Sequence, residues 1–248
     1  MFPIRDHNPS GTTPVVCYAL IAANALIFLG YWLTLTDDYA LAEFFSTWGL
    51  VPARVMQGQG FETVLTSMFL HGGWMHIIGN MLFLFIFGDN LEDQMGHIPF
   101  LIFYLLAGSA AAALQVIADP TSPVPMVGAS GAIAGVMGAY LLMFPKARVD
   151  VLIFIVVFVR VFPIPAWVVL GLWIGIQVVS GAVTPTDGGG VAYWAHVGGF
   201  GAGLLMTIPL WLRRGAAGFW NQTQGTPPHP DTQYQVTKSR IPTVRRMK

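Results

Sequence analysis

Few side chains of this sequence sit where their types and spacing could do chemistry, and Ser130 is the first of them. It lies in Val127-Gly128-Ala129-Ser130-Gly131-Ala132-Ile133-Ala134-Gly135-Val136-Met137-Gly138-Ala139-Tyr140, which begins like a turn and runs into an apolar, glycine-spaced helix with no charge before Lys146. A serine at a helix start has a plain role as an N-cap, accepting a hydrogen bond from an amide of the first turn. The same position suits a nucleophile, because a helix N-terminus offers backbone amides and the positive end of the dipole to an oxyanion. His196 stands three residues after Tyr193 at the start of another apolar run, and His76 and Asn80 share one face of a third. These too have plain roles: His196 as a buried histidine satisfied by a carbonyl, His76 and Asn80 as interhelical hydrogen-bonding groups. Brought together, Ser130 and His196 would make a nucleophile and its general base, with His76, Asn80 and the Ser130 amide as donors to the developing negative charge. No Asp or Glu lies in those runs to orient the imidazole, so the pair would work as a dyad.

Glycines supply a means of bringing them together. Gly131-x-x-x-Gly135 and Gly199-x-x-x-Gly203 each give a helix a face on which another backbone can approach closely. Ser130 precedes the first pair directly, and His196 stands three residues before the second. Packing of those two faces puts the hydroxyl and the imidazole within reach of one another.

The runs themselves are membrane spans. Of the 248 residues 54% are hydrophobic and only 10% charged, against about 25% charge in soluble domains. This composition fits a polytopic protein of the lipid bilayer. The formal net charge is +0, and no basic patch suggests a nucleic-acid partner. Cys17 is the single cysteine, so no intramolecular disulfide forms and a cysteine-based metal site is not expected. Residues 1–13 read as a short polar N-terminus with no cleavable signal, and the first span stays as an anchor.

Six spans follow from the pattern, over 14–35, 73–87, 97–117, 130–144, 166–180 and 193–212. The acidic, aromatic segment after span 1 reads as structured chain in the interface. Gly88 to Asp93 reads as a charged turn ending span 2, and 149–165 as an interfacial or re-entrant connection. Thr184 to Gly190 is a glycine-rich loop, and 215–248, rich in Gln, Thr, Pro and Arg, is expected to be disordered. Lys and Arg concentrate on one side (Arg5, Lys146, Arg148, Arg213, Arg214 and the tail), which makes both termini cytoplasmic and starts spans 2, 4 and 6 on the outer side. His71 is placed at the membrane surface and assigned no chemistry.

With these residues in order, the chain resembles the rhomboid intramembrane serine proteases. The matching stretches are His71-Gly72-Gly73-Trp74-Met75-His76-Ile77-Ile78-Gly79-Asn80, Gly128-Ala129-Ser130-Gly131, and Ala195-His196-Val197-Gly198-Gly199-Phe200-Gly201-Ala202-Gly203. The resemblance covers 14–212, and implies an all-α, six-span bundle with an outward-opening cavity and a partly embedded first loop. It implies Ser130 as nucleophile, His196 as base and then acid, and His76, Asn80 and the Ser130 amide as the oxyanion site. The domain would span 14–214, in a bacterial inner membrane, cutting single-pass transmembrane proteins without a cofactor or metal. Two positions depart from the family. Glu62 and Thr63 stand where Trp-Arg is frequent, leaving open how the first loop is tied down. Ala134 stands where some members have a tyrosine against the histidine, so Tyr193 or Trp194 would hold the ring instead. Span 5, with Trp167, Trp173 and Gln177, is the expected lateral gate. The rival readings are a non-catalytic relative that escorts transmembrane segments, a transporter, which the lack of an inverted repeat disfavours, and a metalloprotease, which the absence of His-Glu-x-x-His disfavours.

Overall fold

The computed structural model describes residues 2–8, 10–155, 158–184 and 190–227. Five helices are long and apolar enough to cross a bilayer: α1 (Val15–Trp32), α5 (Trp74–Met95), α6 (His97–Ala118), α8 (Ala166–Val183) and α9 (Tyr193–Arg213). Between α1 and α5 lie three short helices, α2 (Asp38–Trp48), α3 (Pro52–Met56) and α4 (Thr63–Thr66). A sixth apolar helix, α7 (Ser130–Met143), has 14 residues and stands in the centre of the bundle. At 1.5 Å per residue it extends about 21 Å, against roughly 30 Å of hydrocarbon, so it cannot carry both its ends to the membrane surfaces.

Glycine decides how α7 is held. It packs most extensively against α9, then α6 and α5. A methyl group added at Gly199 would strike the carbonyl oxygen of Gly131, and one at Gly203 that of Gly135. On the other side, a methyl at Gly131 would come 2.6 Å from the Ala111 Cβ on α6. Backbone therefore meets backbone along α7 and α9, and dispersion between close-packed surfaces replaces the hydrophobic effect that lipid cannot supply.

Several sequence expectations need correction. Helix α5 does not end at Phe87 but continues through the charged run to Met95. The Glu92 carboxylate is buried because it accepts from the Val16 amide at 2.9 Å and the Cys17 amide at 2.8 Å, capping the N-terminus of α1 from a neighbouring helix. Over 148–165 the described residues are extended strands and not re-entrant chain. Strands β2 (Arg148–Ile155) and β3 (Phe158–Pro165) pair antiparallel, and β1 (Phe2–Asp6) adds to the other edge of β2. The bundle thus carries a small sheet that includes the N-terminal strand, held by the Asp150 carboxylate, which accepts from Arg5 Nη2 at 2.9 Å and meets His7 Nε2 at 2.6 Å. Its β-branched residues favour extended chain, and the N-terminal strand supplies a second ladder.

The segment after span 6 is likewise ordered at its start. Helix α10 (Ala217–Thr223) buries Phe219, the Trp220 indole donates to the Leu142 carbonyl at 2.9 Å, and the Gly225 carbonyl accepts from the Lys146 amide at 2.9 Å. Average composition favours disorder over 215–248, and Phe219 and Trp220 outweigh it locally. Residues 228–248 and 185–189, the latter within the glycine-rich loop, lie outside the described residues.

The segment after α1 is tied down without Trp-Arg at 62–63. Leu50 and Met126 exchange backbone hydrogen bonds of 3.0 and 2.7 Å, the Thr66 hydroxyl donates to the Trp48 carbonyl at 2.6 Å, and the Arg54 guanidinium donates to the Ser46 carbonyl at 2.5 Å. Phe44 and Phe45 pack on Tyr31 of α1, while Tyr39 and Trp48 are exposed.

Candidate active site

Ser130, His196, His76 and Asn80 come from three helices and meet at one end of the bundle. Ser130 is the first residue of α7, and among the described residues no side chain caps that helix. Its hydroxyl faces His196 instead, with Oγ 2.8 Å from Nε2. The plain N-cap role is thus not the one the side chain plays. His196 lies in the first turn of α9 and is 8% exposed. Its other ring nitrogen, Nδ1, is 2.7 Å from the Gln177 Oε1 on α8. An amide oxygen only accepts, so Nδ1 bears the proton and the Nε2 lone pair is left for the serine hydroxyl.

Trp173, one turn before Gln177 on α8, stacks obliquely on the imidazole with ring centroids 5.5 Å apart. These two residues, and not Tyr193 or Trp194, hold the histidine; Tyr193 and Trp194 pack against Gly181. Sequence reasoning placed Trp173 and Gln177 on a gate and missed this second contact. The available signal was their spacing of four, which puts the lone amide of span 5 on the same face as an indole. Gln115 of α6 was missed altogether. Its Oε1 accepts from the Ala195 amide at 3.2 Å, fixing the first turn of α9 beside His196.

Donors face the serine from α5. The Gly72 amide donates to His76 Nδ1 at 3.2 Å, which leaves the His76 proton on Nε2. That nitrogen lies against Gly128, whose φ of +131° is open to glycine: a methyl there would come 2.8 Å from His76 Nε2 and 3.5 Å from Ser130 Oγ. The Nε2–H and the serine oxygen therefore flank one glycine. The Asn80 amide uses one N–H on the His76 carbonyl at 2.8 Å and has a second to offer. The loop leading to Ser130 is fixed by the Gly128 amide, which donates to the Ser67 carbonyl at 2.9 Å. His71, given no chemistry on its sequence, packs inside the protein. It is fully buried, its backbone bonded to the Tyr31 hydroxyl and its ring set edge-on to His76 at 5.1 Å. His71 supports the His76 ring from behind.

Ser130, His196, His76, Asn80 and Trp173 line, with Met75, a cavity of about 800 Å³.

The sequence matches the Rhomboid domain over residues 58–213, a stretch that contains His76, Asn80, Ser130, Trp173, Gln177 and His196. The chain belongs to the rhomboid family. It is 31% identical to RHOMBOID-like protein 4 of Arabidopsis thaliana over 75% of this chain and 44% of that protein. It is 28% identical to the mitochondrial Rhomboid protein 1 of Saccharomyces cerevisiae over 76% of this chain and 51% of that protein. A shorter match, to the mitochondrial RHOMBOID-like protein 6 of Arabidopsis thaliana, is 40% identical over 36% of this chain and 28% of that protein. The chain thus spans about half, or less, of the length of these rhomboid relatives. The rhomboid bundle is a multi-pass membrane protein, with the paired Ser130 and His196 at the N-terminal ends of α7 and α9.

Proposed function

We propose that this rhomboid is an intramembrane serine endopeptidase in which Ser130 and His196 form the catalytic dyad. The observation that carries the reading is the 2.8 Å approach of Ser130 Oγ to His196 Nε2 at a helix start where the serine caps nothing among the described residues. As Ser130 Oγ attacks the carbonyl carbon of a substrate peptide bond, its proton passes to Nε2, and the carbonyl π electrons move onto oxygen. The oxyanion is met by the Ser130 amide, His76 Nε2–H and the free N–H of Asn80, each worth about 10²–10³ in rate in comparable sites. Collapse breaks the C–N bond while the imidazolium gives its proton to the leaving amine. Water then repeats the sequence on the acyl-enzyme, with His196 as base.

Backbone groups of a transmembrane helix are already hydrogen-bonded, so a substrate must unwind locally before its carbonyl reaches Ser130. Single-pass membrane proteins with helix-destabilising residues near the cut, and a small residue before it, fit that requirement; the small residue is what the resemblance implies. Helix α8 is the proposed gate: of the five long helices it has the smallest buried share, 17%. The Lys and Arg distribution supports cytoplasmic termini and a cavity facing the outer side of a bacterial inner membrane.

The test is cleavage of a reporter with one type I transmembrane segment by the purified protein in liposomes. Wild type is expected to cleave, Ser130→Ala and His196→Ala to be silent, and a chelator to have no effect. Cleavage by Ser130→Ala would refute the dyad. Reporter binding without cleavage in all three proteins would favour the escort reading.

A further inference from the structure

Gln177 is the polar side chain that α8 buries in the bundle, at 7% exposure. Placing an amide at membrane depth is costly unless it is paired, and its Oε1 is spent on His196 Nδ1 at 2.7 Å. Within the dyad reading above, on which this inference rests, we propose that Gln177 is a positioning residue that makes the serine–histidine pair a three-membered relay. An imidazole held by one nitrogen alone can rotate about χ2 and exchange its two tautomers. Here the Oε1 acceptor selects the Nδ1–H form, and Trp173 restrains the ring plane. Both restraints fix where the Nε2 lone pair points, which is the atom that takes the serine proton.

The amide does this without a charge. A carboxylate in the same place would accept the same hydrogen bond and orient the same ring, with its desolvation costing stability of the fold rather than activity, whereas an amide oxygen makes the bond at smaller cost to the fold. When His196 becomes imidazolium, the Nδ1–H to Oε1 bond becomes charge-assisted and strengthens, so Gln177 favours the state formed as the reaction proceeds. The relay is also carried on the helix proposed to move. Ring orientation and the position of α8 are therefore linked.

A gate residue and a positioning residue are separated by the probe used. Gln177→Met keeps the length and volume and removes the acceptor, and Gln177→Glu restores it. Both are assayed as full-length protein in liposomes, with the transmembrane reporter and with a small water-soluble fluorophosphonate that labels Ser130 and needs no lateral gate. For Gln177→Met, kcat is expected to fall about 10- to 100-fold with KM unchanged, inside the roughly 10²–10⁴ that a general base supplies. Labelling should slow by the same factor, and Gln177→Glu should recover most of both. Unchanged kcat and labelling in Gln177→Met would overturn the proposal. So would equal losses in the two variants, which would mark a packing site, or a loss confined to the reporter, which would mark a gate. A measurement on the unmutated protein stands beside these: ¹⁵N shifts of His196 should report the Nδ1–H tautomer, and an Nε2–H or freely exchanging ring would refute the assignment whether or not the variants fold. A wild type that neither cleaves nor labels would instead strike the dyad reading itself.

Discussion

Gly128→Ala is the perturbation that most directly probes how His76 is placed. The residue has φ of +131°, a region that side chains other than glycine enter at a cost of about 1–3 kcal/mol. The added methyl would also lie 2.8 Å from His76 Nε2 and 2.9 Å from its Cε1. Ordinary contact begins near 3.4 Å, so the imidazole must retreat by about 0.6 Å or the loop must move the same distance. Catalytic groups lose effect when displaced by more than about 0.5 Å. His71 blocks retreat on the far side, since its ring already lies edge-on to His76. The expected result is a drop in kcat of about 10²–10³, the value of one oxyanion donor, with a stability loss of about 1–3 kcal/mol. Reporter cleavage measured over a substrate range, beside thermal unfolding of the same preparation, reads both quantities. The two arms must separate: a lower midpoint with unchanged kcat at a temperature where the variant is folded would mean that His76 Nε2 does not serve the oxyanion, and the reasoning would fail.

Other perturbations test the frame around the site. Gly199→Ala should lower the midpoint of thermal unfolding and abolish cleavage, because its methyl meets the Gly131 carbonyl and forces α7 from α9; retained activity would show that the helices yield without disturbing Ser130 and His196. Glu92→Gln removes the carboxylate that caps α1 and should cost about 1–2 kcal/mol in denaturant unfolding while leaving the chemistry intact. Phe219→Ala, in α10 beyond the last span, should destabilise by about 2–4 kcal/mol if α10 is part of the fold, and by almost nothing if it is a passive tail. At Asp150 burial works to raise the carboxyl, but hydrogen bonds from His7 and Arg5 overcome it and hold it below the ordinary value of 3.8. A depressed carboxyl contributes stability above its unfolded value and loses it as pH falls through the folded one. Wild type and Asp150→Asn should therefore differ in stability at neutral pH and converge below about pH 4; a constant difference across that range would refute the role of the charge.

Much of the site was legible because its physical requirements are local. A polar residue within an apolar run is conspicuous, and the glycine spacings of 131–135 and 199–203 state that two backbones meet. Ser130, His196, His76 and Asn80 stand out as candidates on that pattern, with plain roles open until the resemblance to the rhomboids gives them chemistry, and the spans follow from the thickness of the bilayer. What the tertiary structure decided depends on contacts between distant residues. Nothing local marks Gln177 as the partner of an imidazole 19 residues away, since an amide in a span serves equally well as a packing or gate group. The charged run at Asp89 to Asp93 looked like a turn because its compensation, the first amides of α1, lies more than 70 residues upstream. Nothing local marks the burial that His71 gains where Tyr31 closes over its backbone. The hairpin of β2 and β3 needed β1, from the other end of the chain, to become a sheet. Sequence pattern reports how each segment partitions between lipid and water, and the pairing of buried polar groups is settled by which segments become neighbours.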